Sequence, residues 1–290
     1  MCQPSIKRFE WELEVVITNL KNLNVTEVVL LFAEFDPSVS FNLLKKYPYL
    51  KIFIYKDLRD DTSYIPSIKP YLWYRFLEAN KEYENEDFLY IDSDVIFREM
   101  INYEQFLTSD NVWCGSDCSG YLSYDYILST TNGKQTLNDM SKIVGISLDA
   151  IKEIGDNCIG AQLIVRKPKA TYWKKVYEDS NKLHHYFNGI DSNIQKWTAE
   201  MWAQLWNLPY FNIVPKIDKE FNFSWATDDI TEWKKCKIYH NAGVLPEMEN
   251  LFFKGFYTDC TPFDDDLTYV DDKKCSYHYA RAIEMVKNTN

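Results

Sequence analysis

Two different patterns of hydrophobic residues follow one another in the N-terminal part of the chain. From Arg8 to Leu23 the apolar residues recur at three- and four-residue spacings, which predicts an amphipathic helix. An apolar run within Glu27–Ala33 follows, and its length is typical of a parallel strand that is buried on both faces. The chain therefore begins with a helix that leads into a buried strand.

The same alternation continues and predicts the fold class. A second helix over Ser40–Lys46 precedes another apolar strand at Lys51–Tyr55. Pro66 and Pro70 open a third helix, since proline suits the first turn of a helix, and the strand Asp87–Ile91 comes next. Alternating strands and helices predict an α/β fold with a mostly parallel central sheet and flanking crossover helices.

The second half of the chain has a less regular pattern. The pattern predicts one helix over residues 132 to 154, a strand over Ala161–Val165, helices over Thr171–Leu183 and Thr198–Trp206, a short strand at Lys237–Tyr239 and a loop-rich tail. No internal repeat and no linker rich in Gly, Ser or Pro divides the chain. We therefore expect residues 1–290 to form a single domain.

The composition favours a sizeable core and surfaces that bind rings. Hydrophobic residues make up 46% of the chain, and aromatic side chains are in excess with 17 Phe, 21 Tyr and 9 Trp. Tyrosine and tryptophan combine an apolar ring with a polar group, so they suit sugars and nucleobases. The net charge of -11 and the lack of a Lys or Arg cluster disfavour duplex DNA as the main partner. A phosphate-bearing cofactor is compatible with this charge, because a divalent cation can screen a diphosphate.

The cysteine pattern and the hydropathy indicate a soluble protein from a reducing compartment. Seven cysteines give an odd count without a repeated C-x-x-C spacing, so we expect free thiols. No signal peptide precedes the first polar residues, and no apolar run approaches the roughly 18 residues of a membrane span. These features predict a cytoplasmic location.

Two carboxylates one residue apart, Asp92 and Asp94, carry the strongest chemical signal. They lie between the apolar segments Phe88–Ile91 and Val95–Phe97. In open α/β sheets ligands bind beyond the carboxyl ends of strands, and an extended backbone projects both carboxylates to the same side. Such a pair suits a hard divalent cation, which in turn stabilises a nucleoside diphosphate as a leaving group.

The segment FLYIDSDVIF, residues 88–97, resembles the Y-L-D-x-D-x-hydrophobic segment of glycogenin-like and bacterial lipopolysaccharide galactosyltransferases. The order of elements resembles that of the GT-A glycosyltransferases over roughly residues 8 to 254. This resemblance implies a GT-A (Rossmann-like) fold and sugar transfer from a nucleotide-sugar donor, UDP-linked, with Mn²⁺ or Mg²⁺ as cofactor. It also implies that residues up to about 115 bind the nucleotide sugar and that residues from about 116 onward bind the acceptor and form the tail.

The resemblance also assigns the metal site. The segment Asp92–Asp94, with Ser93 at its centre, would hold the cation and the diphosphate, the two carboxylates acting as metal ligands. In the relatives a histidine in a strand-H-x-x-G phrase completes this site, and His240 and Gly243 match that spacing. A neutral imidazole is a natural ligand for Mn²⁺. The relatives carry a lysine that contacts the diphosphate after this phrase, and Lys254 is the nearest downstream lysine here.

Residues ahead of the D-x-D segment are candidates for donor binding. In similar enzymes basic residues on the preceding helix approach the donor, which indicates Lys69 and Arg75; the alternative is a solvated helix face. The nucleobase of GT-A enzymes lies near the end of the first strand. We expect this strand to be missing or nearly so, because the chain enters a helix soon after Met1, and Gln3 is the polar group at that place.

The second half contributes three candidate catalytic residues. In relatives the segment around the start of the strand Ala161–Val165 faces the transferred sugar, so Asp156 and Gln162 could bond sugar hydroxyls; the alternative is a helix-to-strand turn. Glu200 lies between two tryptophans, where aromatic surface can raise the pKa of a carboxyl group and make it a base toward an acceptor hydroxyl. The alternative is a first-turn glutamate stabilised by the helix dipole. Asp191 is a second candidate for the base.

Two other functions stay open as alternatives. One is a sugar-nucleotide nucleotidyltransferase, which would carry a Gly-rich basic loop after its first strand; no such loop is visible. The other is a non-catalytic carbohydrate-binding domain, against which the intact set of Asp92, Asp94 and His240 argues. We predict a hexosyl- or pentosyltransferase acting on a glycan, a protein or another hydroxyl acceptor, and the acidic charge disfavours modified DNA. The fold does not determine the donor sugar or the stereochemistry.

Overall fold

A parallel three-stranded sheet opens the computed structural model, which describes residues 1–287. Strand β2 (Val29–Ala33) lies between β1 (Cys2–Pro4) and β3 (Lys51–Tyr55). The first strand, expected to be missing or nearly so, is therefore present as a strand of three residues. It is short but fully paired with β2, and the Leu31 N–H donates to the Met1 carbonyl at 2.9 Å.

Helices α1 (Lys7–Asn22) and α2 (Pro37–Lys46) share a core with this sheet. The start of α2 follows from local chemistry. The Asp36 side chain accepts a hydrogen bond from the Ser38 N–H at 2.9 Å, and Pro37 occupies the first helical position. The predicted order of helix, strand, helix and strand in this region is confirmed.

A second sheet of four strands has the order β4-β7-β6-β8. Its strands are β4 (Asp87–Tyr90), β6 (Val112–Asp117), β7 (Ile159–Arg166) and β8 (Val214–Ile217). Strand β7 is antiparallel to both β4 and β6, whereas β6 and β8 are parallel. The α/β fold therefore combines parallel pairs with an antiparallel strand, β7, in the centre of this sheet.

A third, small sheet has the order β5-β10-β9. Its strands are β5 (Val95–Phe97), β9 (Phe223–Trp225) and β10 (Ile238–His240). Because β10 is antiparallel to β5, His240 pairs with Val95, and the Asn241 N–H donates to the Asp94 carbonyl at 2.9 Å. Gly243 has a φ of 80°, a conformation that favours glycine. This pairing brings the H-x-x-G phrase beside the D-x-D segment.

Three helices share one core with strands of the first and second sheets, namely α3 (Ile68–Ala79), α8 (Ala170–Asn188) and α9 (Ala199–Tyr210). Trp73 of α3 stacks on Trp173 of α8, with ring centroids 5.1 Å apart and planes 7° apart. Such a pair contributes about 0.5–1.5 kcal/mol beyond the burial of its area. Lys69 lies one turn before Trp73, so this contact helps to fix the end of α3 that carries Lys69.

One expectation about the second half was wrong. The helix predicted over residues 132 to 154 is divided into two helices, because Gly145 adopts a φ of 76° and ends the first. The loop-rich tail is followed by a helix whose Tyr279 and Ile283 are buried against Tyr239 and its neighbours. The remaining helices are α4 (Ser119–Leu122), α5 (Tyr124–Ser129), α6 (Gly133–Val144), α7 (Leu148–Ile154), α10 (Glu232–Lys235) and α11 (Ser276–Lys287).

Two features of the chain bear on its environment. Across residues 1–287, none of the helices combines the length and the apolar character that a bilayer crossing requires. All seven cysteines fall within this range and are present as free thiols.

Candidate active site

A cleft of about 290 Å³ lies where β1, β4 and β10 end. Open α/β sheets bind ligands at such strand ends. Gln3 reaches the cleft from β1, while Lys69 and Glu200 reach it from the first turns of α3 and α9. The predicted site residues that line it are Gln3, Lys69, Asp92, Asp94, Glu200, His240 and Lys254.

Asp92, Asp94 and His240 form a cluster that can hold a metal ion. One ligand atom from each residue lies within 4.8 Å of the others. His240 Nε2 is 3.2 Å from Asp94 Oδ1 and 4.0 Å from Asp92 Oδ2. Two carboxylates and an imidazole suit Mn²⁺, and Mg²⁺ is commonly held by one or two carboxylates together with substrate phosphates. The donor atoms of this chain therefore fit a divalent cation.

Two lysines neutralise the carboxylates of this cluster. Lys69 Nζ lies 2.7 Å from Asp92 Oδ1, and Lys254 Nζ pairs with Asp94 Oδ2. Burial would raise the pKa of Asp94, but Lys254 and His240 outweigh it and hold this pKa well below its usual range. Burial likewise opposes the charge of Lys69, yet Asp92 raises the pKa of Lys69 above its usual value. Asp94 and Lys69 are therefore both charged at neutral pH.

Ser93, the middle residue of the D-x-D segment, faces the protein interior rather than the cleft. Its hydroxyl donates to Glu12 Oε2 at 2.6 Å and accepts from Gln3 Nε2 at 3.0 Å. Arg8 Nε donates to the other oxygen of Glu12 at 2.8 Å. Burial, followed by the charge of Asp94, raises the pKa of Glu12. This buried network anchors the D-x-D loop to α1.

Glu200 is buried in the wall of the cleft. Burial raises its pKa to about 7, while the Lys69 ammonium acts in the opposite direction and the Asp92 carboxylate raises it further. Its backbone N–H donates to the Tyr64 hydroxyl at 2.8 Å, and this hydroxyl donates to the Trp197 carbonyl at 2.7 Å. A carboxyl group that titrates near neutral pH can accept a proton from a substrate.

The two tryptophans beside Glu200 lie in different environments. Trp197 is 61% exposed and lines the cleft, whereas Trp202 is fully buried in the core. Only Trp197 can therefore present a ring to a ligand. The Tyr121 ring lies 6.3 Å from it, centroid to centroid. The remaining aromatic residues of the cleft are Phe9, Phe223 and Trp225.

Arg75 and Asp156 lie away from the residues that line the cleft. Arg75 Nη1 donates to the Tyr71 hydroxyl at 3.0 Å, and its Nε lies 3.6 Å from Glu78. Asp156 is exposed in the turn before β7. These positions differ from the donor contact expected for Arg75 and the sugar contact expected for Asp156, because each side chain lies outside the cleft wall. Asp191, the second candidate for the base, is exposed outside the cleft as well.

Gln162 lies behind the cluster and differs from its expected role as a sugar contact. The side chain is fully buried, and its amide lies 2.9 Å from His240 Nδ1 and 2.8 Å from the Ser116 hydroxyl. Both ends of the amide therefore have protein partners, and Gln162 is not among the residues that line the cleft.

Sequence reasoning missed three residues that contact the predicted site, namely Glu12, Tyr64 and Ser116. The spacing of Arg8 and Glu12 is that of a helical ion pair, which could have marked Glu12 as charged but paired. Tyr64 and Ser116 carry no such signal, because their partners lie far away in the sequence.

Solved structures that share this arrangement of strands and helices are glycosyltransferases. The bifunctional glycosyltransferase WbbM, in its apo form, is similar with a TM-score of 0.53 and 10% identity, over 98% of this chain and 49% of that one. The galactosyltransferase LgtC in complex with donor and acceptor sugar analogs is similar with a TM-score of 0.52 and 11% identity, over 98% of this chain and 95% of that one. An active-site mutant of LgtC gives a TM-score of 0.50 at 10% identity, over 97% and 94% of the two chains.

The predicted GT-A fold is thus confirmed. No protein-family model and no curated protein sequence matches the chain. The chain spans about half of WbbM and nearly all of LgtC. At 10–11% identity the likeness establishes the fold, and the chemistry has to be inferred from the residues of the cleft.

Proposed function

We propose that the protein is a metal-dependent glycosyltransferase that transfers a sugar from a nucleotide-sugar donor, UDP-linked, to a hydroxyl group of an acceptor. The observation that carries this proposal is the cluster of Asp92, Asp94 and His240 at the strand ends, with Lys69 and Lys254 beside it. Mn²⁺ or Mg²⁺ held by the cluster would supply a Lewis acid for the diphosphate oxygens of the leaving group.

Lys69 and Lys254 bind the donor phosphates in this proposal. Each ammonium is paired with one carboxylate of the cluster. A diphosphate that enters the cleft offers both lysines a second anionic partner, which a flexible ammonium can reach without a fixed geometry. Gln3, in β1, lines the cleft, and we assign it to the nucleobase of the donor. The donor is thus held mainly by residues from the first 115 positions, with His240 and Lys254 added from the second half.

The acceptor binds on the side formed by the second half of the chain, from about residue 116 onward. Tyr121 and Trp197 supply an aromatic wall there, and only Trp197 is largely exposed. Sugar rings pack against such faces while their hydroxyls stay hydrated or hydrogen-bonded. We therefore favour a glycan as acceptor over a protein or another hydroxyl compound. The free thiols of all seven cysteines support a reducing, cytoplasmic location.

Glu200 is the group to which we assign proton transfer. In an inverting reaction the Glu200 carboxylate takes the proton of the acceptor hydroxyl while the acceptor oxygen bonds to the anomeric carbon and the diphosphate leaves. The pKa of about 7 lets the carboxylate accept this proton and release it again near neutral pH. In a retaining reaction no base is required at this place, and Glu200 then acts only through its charge.

Calorimetry with UDP, first with Mn²⁺ and then with EDTA, tests the metal-dependent part of the proposal. We expect UDP to bind only with the cation, and equal affinity in both conditions would contradict it. A screen of nucleotide sugars for Mn²⁺-dependent hydrolysis then identifies the donor. An incubation with a nucleoside triphosphate and a sugar phosphate distinguishes the proposed glycosyltransferase from the alternative, a sugar-nucleotide nucleotidyltransferase, because only the latter would release pyrophosphate.

A further inference from the structure

Gln162 belongs to a continuous series of buried hydrogen bonds that runs from His240 to the Phe221 carbonyl. Its Nε2 lies 2.9 Å from His240 Nδ1, and its Oε1 accepts from the Ser116 hydroxyl at 2.8 Å. The Ser116 hydroxyl also lies 2.8 Å from the Phe221 carbonyl oxygen. Gln162 and Ser116 are both fully buried. Water therefore does not compete for these groups, and each needs its partner within the protein.

A bulge in β7 aims Gln162 at His240. The register between β6 and β7 shifts at Gly115 and Ser116, so that Ala161 and Gln162 stand opposite no residue of β6. Ala161 has a φ of 53°, which is uncommon for a residue with a side chain. Bulges bend a strand and re-aim its side chains, and they are frequent beside functional sites. The backbone is thus distorted at the place that directs the Gln162 amide toward the imidazole.

The Gln162 amide can pair with His240 in two orientations. When Nε2 faces the ring, the amide donates to Nδ1, and the proton of the neutral ring lies on Nε2. When the amide is flipped by 180°, Oε1 accepts from His240 Nδ1–H, and Nε2 donates to the Ser116 oxygen. The Ser116 proton then goes to the Phe221 carbonyl. In the first orientation the single Ser116 proton can reach only one of two acceptors, Gln162 Oε1 and the Phe221 carbonyl, whereas in the second orientation each of these hydrogen bonds has one donor and one acceptor.

A bound cation would distinguish between these orientations. A nitrogen that coordinates a metal needs a free lone pair, so His240 can bind through Nε2 only when its proton lies on Nδ1. We propose that Gln162 is a positioning residue whose amide accepts from Nδ1–H and so leaves Nε2 free for the cation. The inference rests on the proposed metal cluster and adds to it a residue that touches neither cation nor substrate. The Ser116 hydroxyl supports this orientation, because it accepts from Gln162 Nε2 and donates to the Phe221 carbonyl.

Two substitutions of similar size test this role. In Gln162→Glu the ionised side chain only accepts, from Nδ1–H and from Ser116, whereas Gln162→Met keeps the volume and removes both hydrogen bonds. Loss of such a partner typically costs about 10–100-fold in metal affinity. We expect that loss in Gln162→Met and an affinity at least equal to the wild type in Gln162→Glu. Electron paramagnetic resonance of free Mn²⁺ gives the dissociation constants without turnover, and circular dichroism shows whether each variant is folded.

The tautomer of His240 provides a readout that needs no metal. In protein with ¹⁵N-labelled histidine, couplings between ring protons and ring nitrogens distinguish Nδ1–H from Nε2–H, and a His240→Gln variant assigns the signals. We expect Nδ1–H in metal-free Gln162→Glu and a different distribution in Gln162→Met. Equal Mn²⁺ affinity in all three proteins, or one tautomer in both variants, would overturn the role of Gln162. If the wild type binds no Mn²⁺ while Gln162→Glu still holds Nδ1–H, the metal proposal fails and the control of the tautomer by Gln162 is upheld.

Discussion

The Tyr64 hydroxyl accepts a hydrogen bond from the Glu200 backbone N–H at 2.8 Å and donates one to the Trp197 carbonyl at 2.7 Å. One buried side chain thus fixes the turn that begins α9 and carries both the proposed base and the exposed ring. The Tyr64 ring also stacks on His184, with centroids 4.3 Å apart. The position of Glu200 in the cleft therefore depends on a residue that does not itself line the cleft.

Tyr64→Phe should lower turnover more than UDP affinity. Phenylalanine keeps the ring on His184 but leaves the Glu200 N–H and the Trp197 carbonyl without their partner. An unsatisfied buried group costs about 1–3 kcal/mol, so we expect the free energy of unfolding to fall by about that amount. Urea unfolding and the separate measurement of kcat and KM check both effects. His184→Leu, which alters the ring contact but spares the hydroxyl, is the control, and equal turnover in Tyr64→Phe and the wild type would contradict the positioning role.

Glu200→Gln should reduce turnover by about 10²–10⁴-fold if transfer inverts the anomeric centre, because a general base contributes typically that much. UDP affinity should stay unchanged. The wild-type rate should rise with pH to a plateau above about pH 7, and the variant should lack this rise. Product analysis by NMR determines the anomer. A fully active variant of an inverting enzyme would rule out Glu200 as the base, whereas a mild loss is expected if the enzyme retains configuration.

The raised pKa of Glu200 also predicts pH-dependent stability. Its pKa is about 7 in the folded protein against a usual value of 4.5, so folding favours the protonated acid. The unfolded chain releases this proton first, and the free energy of unfolding therefore decreases as pH rises from 4.5 to about 7. The free energy of unfolding of Glu200→Gln, relative to that of the wild type, should therefore increase by up to about 3 kcal/mol across this pH window. Above the window this difference should stay constant. A difference that stays constant between pH 4.5 and 8 in urea unfolding would argue against the raised pKa.

Asp94→Asn should abolish Mn²⁺ binding and also weaken the metal-free protein. The Asp94 carboxylate is buried beside Lys254, and its removal leaves that ammonium without its closest partner. Breaking a fully buried pair costs about 3–5 kcal/mol; Lys254 keeps some contact with water, so we expect about 2 kcal/mol in urea unfolding. The double variant Asp94→Asn with Lys254→Met should recover most of this stability and still bind no Mn²⁺. His240→Asn leaves Lys254 paired with Asp94 and keeps an amide that can hydrogen-bond to Gln162, so it should lose Mn²⁺ affinity with a smaller loss of stability than Asp94→Asn.

Trp197→Ala should impair acceptor binding while donor hydrolysis continues. The exposed ring contributes to the cleft wall and not to the core, so the fold should tolerate the change. A lost stacking contact of about 0.5–1.5 kcal/mol corresponds to about a two- to tenfold rise in the acceptor KM. A panel of free sugars with the donor found by hydrolysis provides the measurement. Trp197→Phe keeps a ring and serves as the matched control; equal acceptor KM in all three proteins would contradict the aromatic wall.

The carboxylates of the cluster could be predicted because their signal is local: Asp92 and Asp94 follow directly on an apolar strand. His240 ends a short strand, and it was the resemblance of its H-x-x-G phrase to that of known enzymes that indicated a metal ligand. The helix periods of the first half were equally clear. By contrast, the first strand was expected to be missing or nearly so because three residues are too few to show a period, although hydrogen bonds to β2 suffice to form it.

The placement of Gln162 and Lys254 could not be predicted, for a different reason. The direction of the Gln162 side chain depends on the bulge in β7, and a bulge has no hydrophobic period. Lys254 reaches Asp94 from a short turn whose neighbours Phe252 and Tyr257 pack on Trp11, a residue far away in the sequence. Arg75 shows the converse case: its helix was predicted, and its side chain lies next to Tyr71 and Glu78, outside the residues that line the cleft.

The third sheet has a consequence for the biosynthesis of the protein. Among residues 1–287, strand β5 pairs only with β10, and Lys254 pairs with a carboxylate that precedes it by 160 residues. A nascent chain on the ribosome therefore carries the Asp94 carboxylate without its lysine until residue 254 has emerged. Translation products that stop before β10 lack both this lysine and the partner strand of β5, so we expect them to expose an unpaired strand edge that invites aggregation.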